Sequence, residues 1–163
     1  MGHVTTKEQL AARWTQLTND LSLHDLPYKI ELNGEGTIEK SPSSNRHGMR
    51  QADIAWTLRN SLANGRVITE CAVLTEIGVR VPDVAWASAQ FLATEAENTP
   101  FTRAPEICVE VRSASNSDCE ITEKVRVYLA AGAIEVWVAD EAGGIKIYSA
   151  QGELTASSFG VVL

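Results

Sequence analysis

The sequence predicts a mixed α/β fold in which helices and strands are interleaved. Two observations lead there. Three stretches carry apolar residues at helical spacing, and several short runs of alternating or β-branched residues end in turn residues. Along the 163 residues these follow the order helix–hairpin–helix–strands–helix–strands, which suits an α/β domain. The length suits a single domain over residues 1–163, large enough to bury a core without disulfides.

The first helix starts at Thr6, with Gln9 as its capping-box partner. Leu10, Trp14, Leu17 and Leu21 recur at helical spacing and form its inner face. Tyr28 to Leu32 alternates like a strand, Asn33-Gly34 signals a hairpin turn, and Thr37 to Lys40 returns. Ser41 to Asn45 reads as a loop. A second helix is expected from about Asn45 to Ala63, with Met49, Ile54, Leu58 and Leu62 inside and Asn64-Gly65 as its stop. Arg66 to Leu74 reads as one strand. Gly78 to Val81 leads into the strand Asp83 to Ala87, and Ser88 caps a short helix through Phe91 and Leu92. A strand from Ile107 to Arg112 follows, then the polar turn Ser113 to Ser117. The third long helix runs from about Asp118 to Ala131, with Ile121, Val125, Tyr128 and Leu129 inside and Gly132 as its stop. Ile134 to Ala139, Ile145 to Tyr148 and Leu154 to Ser158 are the closing strands, with Gly143-Gly144 turning the first into the second.

Composition narrows the function. Hydrophobic residues make up 44%, so disorder is not expected, and a formal net charge of −7 argues against indiscriminate nucleic-acid binding. It leaves room for a nuclease, because bound metal and a local basic patch offset carboxylates. The cysteines are Cys71, Cys108 and Cys119. Two sit in apolar runs as small core residues, which points to a reducing, cytoplasmic setting. Met1-Gly2-His3 opens no apolar signal region, and no apolar run is long enough to span a bilayer.

The chemistry lies in charges on strands that should be buried. In Glu106 to Arg112, Val109 and Val111 face one side, Glu110 and Arg112 the other. Neighbouring elements on both sides in sequence make this strand central, where a carboxylate costs several kcal/mol, by rough estimate, unless paired or bound to metal. Asp83 poses the same problem at the start of its strand. If the two strands are neighbours, the carboxylates converge and suit Mg²⁺ or Mn²⁺. Lys124 lies on the flank of its helix, roughly 80° from the apolar stripe, where a long side chain reaches along the sheet. Ordinary readings stand beside this one. Glu120 is four residues before Lys124, as in a surface ion pair. Glu110 and Arg112 could pair with neighbours, and Asp83 could cap a turn after Pro82.

Pro82-Asp83, Glu110-Val111-Arg112-Ser113, Lys124 with Tyr128, Ala131-Gly132 and Glu135 to Asp140 together resemble the Uma-type restriction endonuclease family of the PD-(D/E)XK nuclease superfamily. The resemblance spans 28–148. Upstream, Ile30-Glu31-Leu32-Asn33-Gly34-Glu35 is similar to that family's N-terminal hairpin, and Ser41-Pro42 with His47 to its following loop and helix. It implies a restriction-endonuclease-like core, a mixed sheet flanked by helices. It also implies Asp83 and Glu110 as metal ligands, Lys124 as the catalytic lysine and Glu31 as an accessory acid. The superfamily lysine commonly stands two residues after the glutamate. Here that residue is Arg112, which cannot act as a base, and Lys124 on the next helix takes its place. His47 reads as a capping or surface residue.

The expected function is Mg²⁺- or Mn²⁺-dependent hydrolysis of DNA phosphodiester bonds. The alternative is an inactive nuclease fold serving as a binding or scaffold module. The partly apolar tail from Leu154 to Leu163 suggests cover for a sheet edge, its own or that of a homodimer partner.

Overall fold

The structure is a computed structural model that describes residues 5–163; Met1-Gly2-His3 lie outside the described residues. These residues form four α-helices and ten strands in two sheets. The mixed α/β class is as the sequence predicts, but the strands divide between a six-stranded and a four-stranded sheet.

Helix α1 (Lys7–Thr18) carries the expected capping box of Thr6 and Gln9, and buries Leu10, Trp14 and Leu17. Leu21 does not join them. The helix ends a turn earlier, Asp20 caps a short 3₁₀ turn, and Leu21 is 80% exposed. Strands β1 (Tyr28–Asn33) and β2 (Ile38–Pro42) form the hairpin, so Ser41-Pro42 belongs to a strand and not to a loop. The reversal is longer than Asn33-Gly34 suggests. Asn33 Oδ1 accepts from the N–H groups of Glu35 and Thr37, and Gly36 takes the left-handed conformation at φ 77°.

Helix α2 (Asn45–Ser61) buries Ile54 and Leu58, with His47 on the same side. Met49 is 62% exposed, because the inner stripe runs through His47, Gln51, Ile54 and Leu58 and takes polar residues in its first turns. The stretch expected as one strand is two: β3 (Gly65–Thr69) and β4 (Val73–Thr75). Between them Glu70 holds φ 54°, a kink that lets the chain leave one sheet and enter the other. Strand β5 (Gly78–Arg80) pairs with β1 and β4. Gly78 sits at φ 128°, where a Cβ would lie 2.0 Å from the Leu32 carbonyl oxygen, so only glycine permits this approach. Val81-Pro82-Asp83 then links β5 to β6 (Val84–Ser88) of the larger sheet.

The short helix α3 (Ala89–Glu95) is capped by Ser88. Strand β7 (Ile107–Arg112) is central: it pairs antiparallel with β6 and parallel with β8 (Glu135–Asp140). The parallel pair needs a crossover, supplied by α4 (Asp118–Ala130). Strands β9 (Ile145–Ser149) and β10 (Gly152–Leu154) complete the sheet, in the order β10-β9-β8-β7-β6-β3. The smaller sheet has the order β2-β1-β5-β4 and all its pairs are antiparallel.

Alternation along β7 divides the core. Ile107, Val109 and Val111 pack with Ile54 and Leu58 of α2 on one face. Cys108 packs with Tyr128 and with the flanking Val125 and Leu129 of α4 on the other. Burial pushes the Cys71 thiol up to about 12, so this residue serves as core. A third cluster joins α1 to Leu32, Leu74, Val79 and Val81.

The expected strand from Leu154 to Ser158 stops at Leu154, because the following serines turn inward to Glu135. That carboxylate is fully buried on β8. It accepts from Trp137 Nε1 at 2.7 Å, Ser157 Oγ at 2.9 Å, and the Ser158 N–H and Oγ at 2.5 and 2.7 Å. Phe159 then packs edge-to-face on Trp86 at 5.7 Å, and Val161 is buried in the α2-side core. The tail therefore covers a face of its own sheet. Glu135→Ala strips the acceptor from four donors and is expected to cost about 3 kcal/mol, read as a lower urea midpoint at unchanged m-value. A loss under about 1 kcal/mol would show that Glu135 is not the tail's anchor.

Candidate active site

The chemistry-bearing residues meet where the two sheets join. Alternation on β1 sends Ile30 and Leu32 into the α1 core and turns Lys29 and Glu31 to the opposite face. Glu110 leaves β7 on the side facing α4. Asp83 stands at the entrance to β6, fixed by its backbone: its N–H donates to the Val109 carbonyl at 2.9 Å, and its carbonyl accepts from Gln51 Nε2 at 2.9 Å. The three carboxylates are nearly inaccessible, at 1% for Asp83, 4% for Glu110 and 6% for Glu31.

Each carboxylate has defined partners. Asp83 Oδ1 accepts from Lys29 Nζ at 2.8 Å, and Oδ2 accepts from the Val111 N–H at 2.7 Å and lies 3.3 Å from His47 Nε2. Glu110 Oε1 accepts from the Tyr128 hydroxyl at 2.8 Å; Oε2 accepts from Lys124 Nζ at 3.2 Å and lies 3.8 Å from Lys29 Nζ. Glu31 Oε1 accepts from the Val81 N–H at 2.8 Å and Lys124 Nζ at 3.3 Å, and Oε2 lies 3.6 Å from Arg80. Arg80 also pairs with Glu39 across the hairpin.

The electrostatics follow from burial against partners. Burial pushes the Asp83 carboxyl up, but the His47 bond, the Lys29 ammonium and the Val111 N–H together hold it well below the usual carboxylate range. For Glu110 burial prevails: its carboxyl is raised, although Lys124 and Lys29 oppose the shift, with Asp83 and Glu31 adding to it. Burial works against the charge on Lys29 and Lys124, yet Glu110 and its neighbours hold both ammonium groups above their ordinary value. The bond to Asp83 raises His47 against its own desolvation. His47 Nδ1 is buried without a hydrogen-bond partner. Around the carboxylates runs a small polar cleft, bordered by Ser41, Ser43, Glu70, Ser113 and Asn116.

The structure thus brings Asp83, Glu110, Lys124 and Glu31 together. The ordinary alternatives resolve as well. Glu120 completes the capping box of α4 with Ser117, and Lys124 turns away from it to Glu31 and Glu110. Arg112 pairs with Asp118 at the surface and bonds the Asn116 carbonyl. His47 is 9% exposed and sits against Asp83, not at the surface as its sequence context suggests. Lys29 joins the cluster, a residue that no motif in the sequence singles out. The signal for it was the alternation that puts it on the same face of β1 as Glu31.

A cation fits between the carboxylates. Lys29 Nζ, itself a cation, lies within 3.8 Å of both Asp83 and Glu110. Among the described residues no three His, Cys, Asp or Glu side chains form a closed metal-binding group. Two carboxylates with the remaining positions left to water match Mg²⁺ or Mn²⁺ better than Zn²⁺.

The fold is a mixed α/β one, with buried carboxylates gathered where its two sheets meet. The chain belongs to the Uma2 family, described as "Putative restriction endonuclease", whose model matches residues 20–160. Among solved structures it is similar to "a putative nuclease belonging to DUF820" from Anabaena variabilis ATCC 29413. That match has 19% sequence identity and a TM-score of 0.69, and covers 88% of this chain and 89% of that one; at this identity it speaks for the fold. No curated protein matches the chain significantly. Among the described residues, no helix is long and apolar enough to cross a membrane.

Proposed function

We propose that this protein is a divalent-metal-dependent endonuclease that hydrolyses DNA phosphodiester bonds, with Asp83 and Glu110 as metal ligands, Lys124 as the catalytic lysine and Glu31 as an accessory acid. The observation that carries this reading is the convergence of buried Asp83, at the entrance to β6, with buried Glu110 of β7 about the Lys29 ammonium, Lys124 bonding Glu110 beside them, in a chain of a restriction endonuclease family. Mg²⁺ or Mn²⁺ there would supply Lewis acidity toward a phosphodiester oxygen and a more acidic water.

The chain's own groups then have separate tasks. Tyr128 and the Val111 N–H each fix one oxygen of Glu110 and Asp83, and the lysines hold the other oxygen of each. Lys124 is held between Glu110 and Glu31, from where its ammonium can stabilise negative charge developing on phosphate. Glu31 keeps that lysine charged and aimed. With two lysines against three carboxylates, Arg80 being shared with Glu39, the cluster carries one net negative charge when His47 is neutral.

The second reading is a binding or scaffold module. The near-complete pairing of the carboxylates by lysines favours it, since most of their charge is balanced from within the chain. Incubation of supercoiled DNA with Mg²⁺, Mn²⁺ or EDTA, beside calorimetry with Mn²⁺, tests both. The endonuclease reading expects nicking only with metal, and Mn²⁺ binding that disappears in Glu110→Gln. DNA bound but never cut, with no Mn²⁺ uptake, is the outcome expected of a scaffold.

A further inference from the structure

Two lysines enter the carboxylate cluster, and they occupy different places in it. Lys124 Nζ lies between Glu31 and Glu110, at 3.3 and 3.2 Å. Lys29 Nζ lies between the two proposed metal ligands, 2.8 Å from Asp83 Oδ1 and 3.8 Å from Glu110 Oε2. Its third contact is the Val81 carbonyl oxygen at 2.9 Å. The ammonium is thus surrounded by two carboxylates and a carbonyl, an all-oxygen environment of the kind a hard cation takes. The Lys29 side chain is only 11% exposed. It comes from β1 of the smaller sheet, while Asp83 and Glu110 belong to the entrance and centre of the larger one.

We propose that Lys29 is the resident counter-ion of this site: it holds Asp83 and Glu110 together while no metal is bound, and it withdraws when a divalent cation enters. The inference rests on the metal reading of the site proposed above. Two buried carboxylates, one on β7 and one at the entrance to β6, repel each other and lose hydration, so an internal cation is needed for the metal-free protein to keep them in place. An ammonium at 2.8 Å from Asp83 cannot stay there beside a doubly charged ion bound to the same carboxylates, because like charges at that range repel strongly. A lysine suits the exchange. Its charge sits at the end of a flexible four-carbon stem, whereas a guanidinium would hold a carboxylate by a planar fork. Lys29 therefore stabilises the metal-free fold and competes with the metal.

This assignment predicts effects of opposite sign in one variant. In Lys29→Met the metal-free protein should melt lower, by about 5 °C, while Mn²⁺ measured by calorimetry without DNA should bind at least about tenfold tighter. Lys29→Arg, which keeps the charge, should not gain affinity. A lysine that only shapes the site would lose both stability and Mn²⁺ affinity on substitution. A lysine acting solely on substrate would leave Mn²⁺ affinity unchanged. Either result overturns the counter-ion role. Should Lys29→Met fail to fold, the wild type still decides. The Lys29 Nζ signal in a ¹H–¹⁵N spectrum should shift and exchange faster with saturating Mg²⁺, and a signal that does not respond overturns the proposal. If neither wild type nor variant takes up Mn²⁺, the metal reading itself falls and the counter-ion role with it. Tight binding by the wild type with no gain in the variant removes the counter-ion role alone.

Discussion

Asp83→Asn is expected to lower metal-dependent DNA cleavage on the order of 10³-fold, equivalent to about 4 kcal/mol of transition-state stabilisation. The substitution keeps the shape of the side chain and an acceptor for the Val111 N–H, which Oδ2 now holds at 2.7 Å. It removes the charge that would hold the metal. Stability separates this effect from misfolding and carries its own pH signature. The Asp83 carboxyl is held below its ordinary value of 3.8 through His47, Lys29 and Val111, against the pull of burial. A carboxylate whose folded pKa is depressed contributes stability that is present above the unfolded pKa and lost as pH falls toward the folded one. The melting temperature of metal-free wild type should therefore exceed that of Asp83→Asn at pH 7, and the gap should narrow below about pH 4. Cleavage that persists in a folded Asp83→Asn would sink the assignment of this carboxylate as a metal ligand.

Much of this site was legible in the chain because β-strand alternation is a strict geometric rule. Val109 and Val111 on one side set Glu110 on the opposite face, and in the structure that face meets Tyr128 and Lys124 of α4. The position of Lys124 on the flank of its helix was legible from helical periodicity, an equally strict rule. What the sequence concealed follows from physics that single-segment patterns do not contain. The break at Glu70 depends on a left-handed residue that is not glycine, in a run that otherwise reads as uninterrupted strand. The inner stripe of α2 departs from the apolar pattern at Met49, because that helix turns the polar His47 and Gln51 inward toward Asp83. Lys29 has no local signal of burial, because a strand lysine is ordinarily solvated. Only the docking of the second sheet buries it among carboxylates. The C-terminal serines read as strand formers and serve instead as donors to Glu135, a long-range contact with no local signature.

Lys124 is the second large expected effect, and its burial changes what a substitution does. Read as the partner of Glu120 on an exposed helix face, it would cost at most about 0.5 kcal/mol to remove. Held between Glu31 and Glu110, it should cost about 3–5 kcal/mol in Lys124→Ala, because two buried carboxylates are left facing each other. A loss of cleavage in that variant would mix chemistry with stability. Lys124→Arg is the cleaner change. It preserves the positive charge, so the metal-free protein should remain folded, with Mn²⁺ affinity within about threefold of wild type. Cleavage should still fall about 100-fold or more, since a planar, permanently protonated guanidinium cannot put one compact charge between Glu31 and Glu110. Two controls bound the interpretation. Glu120→Ala removes half of the α4 capping box and should cost about 1 kcal/mol of stability while leaving cleavage per folded molecule unchanged. Arg112→Ala breaks a surface pair with Asp118 and should likewise spare activity. Wild-type cleavage rates in Lys124→Arg would take Lys124 out of the chemistry. A loss in Arg112→Ala as deep as that in Lys124→Ala would move the role to the arginine two residues after Glu110.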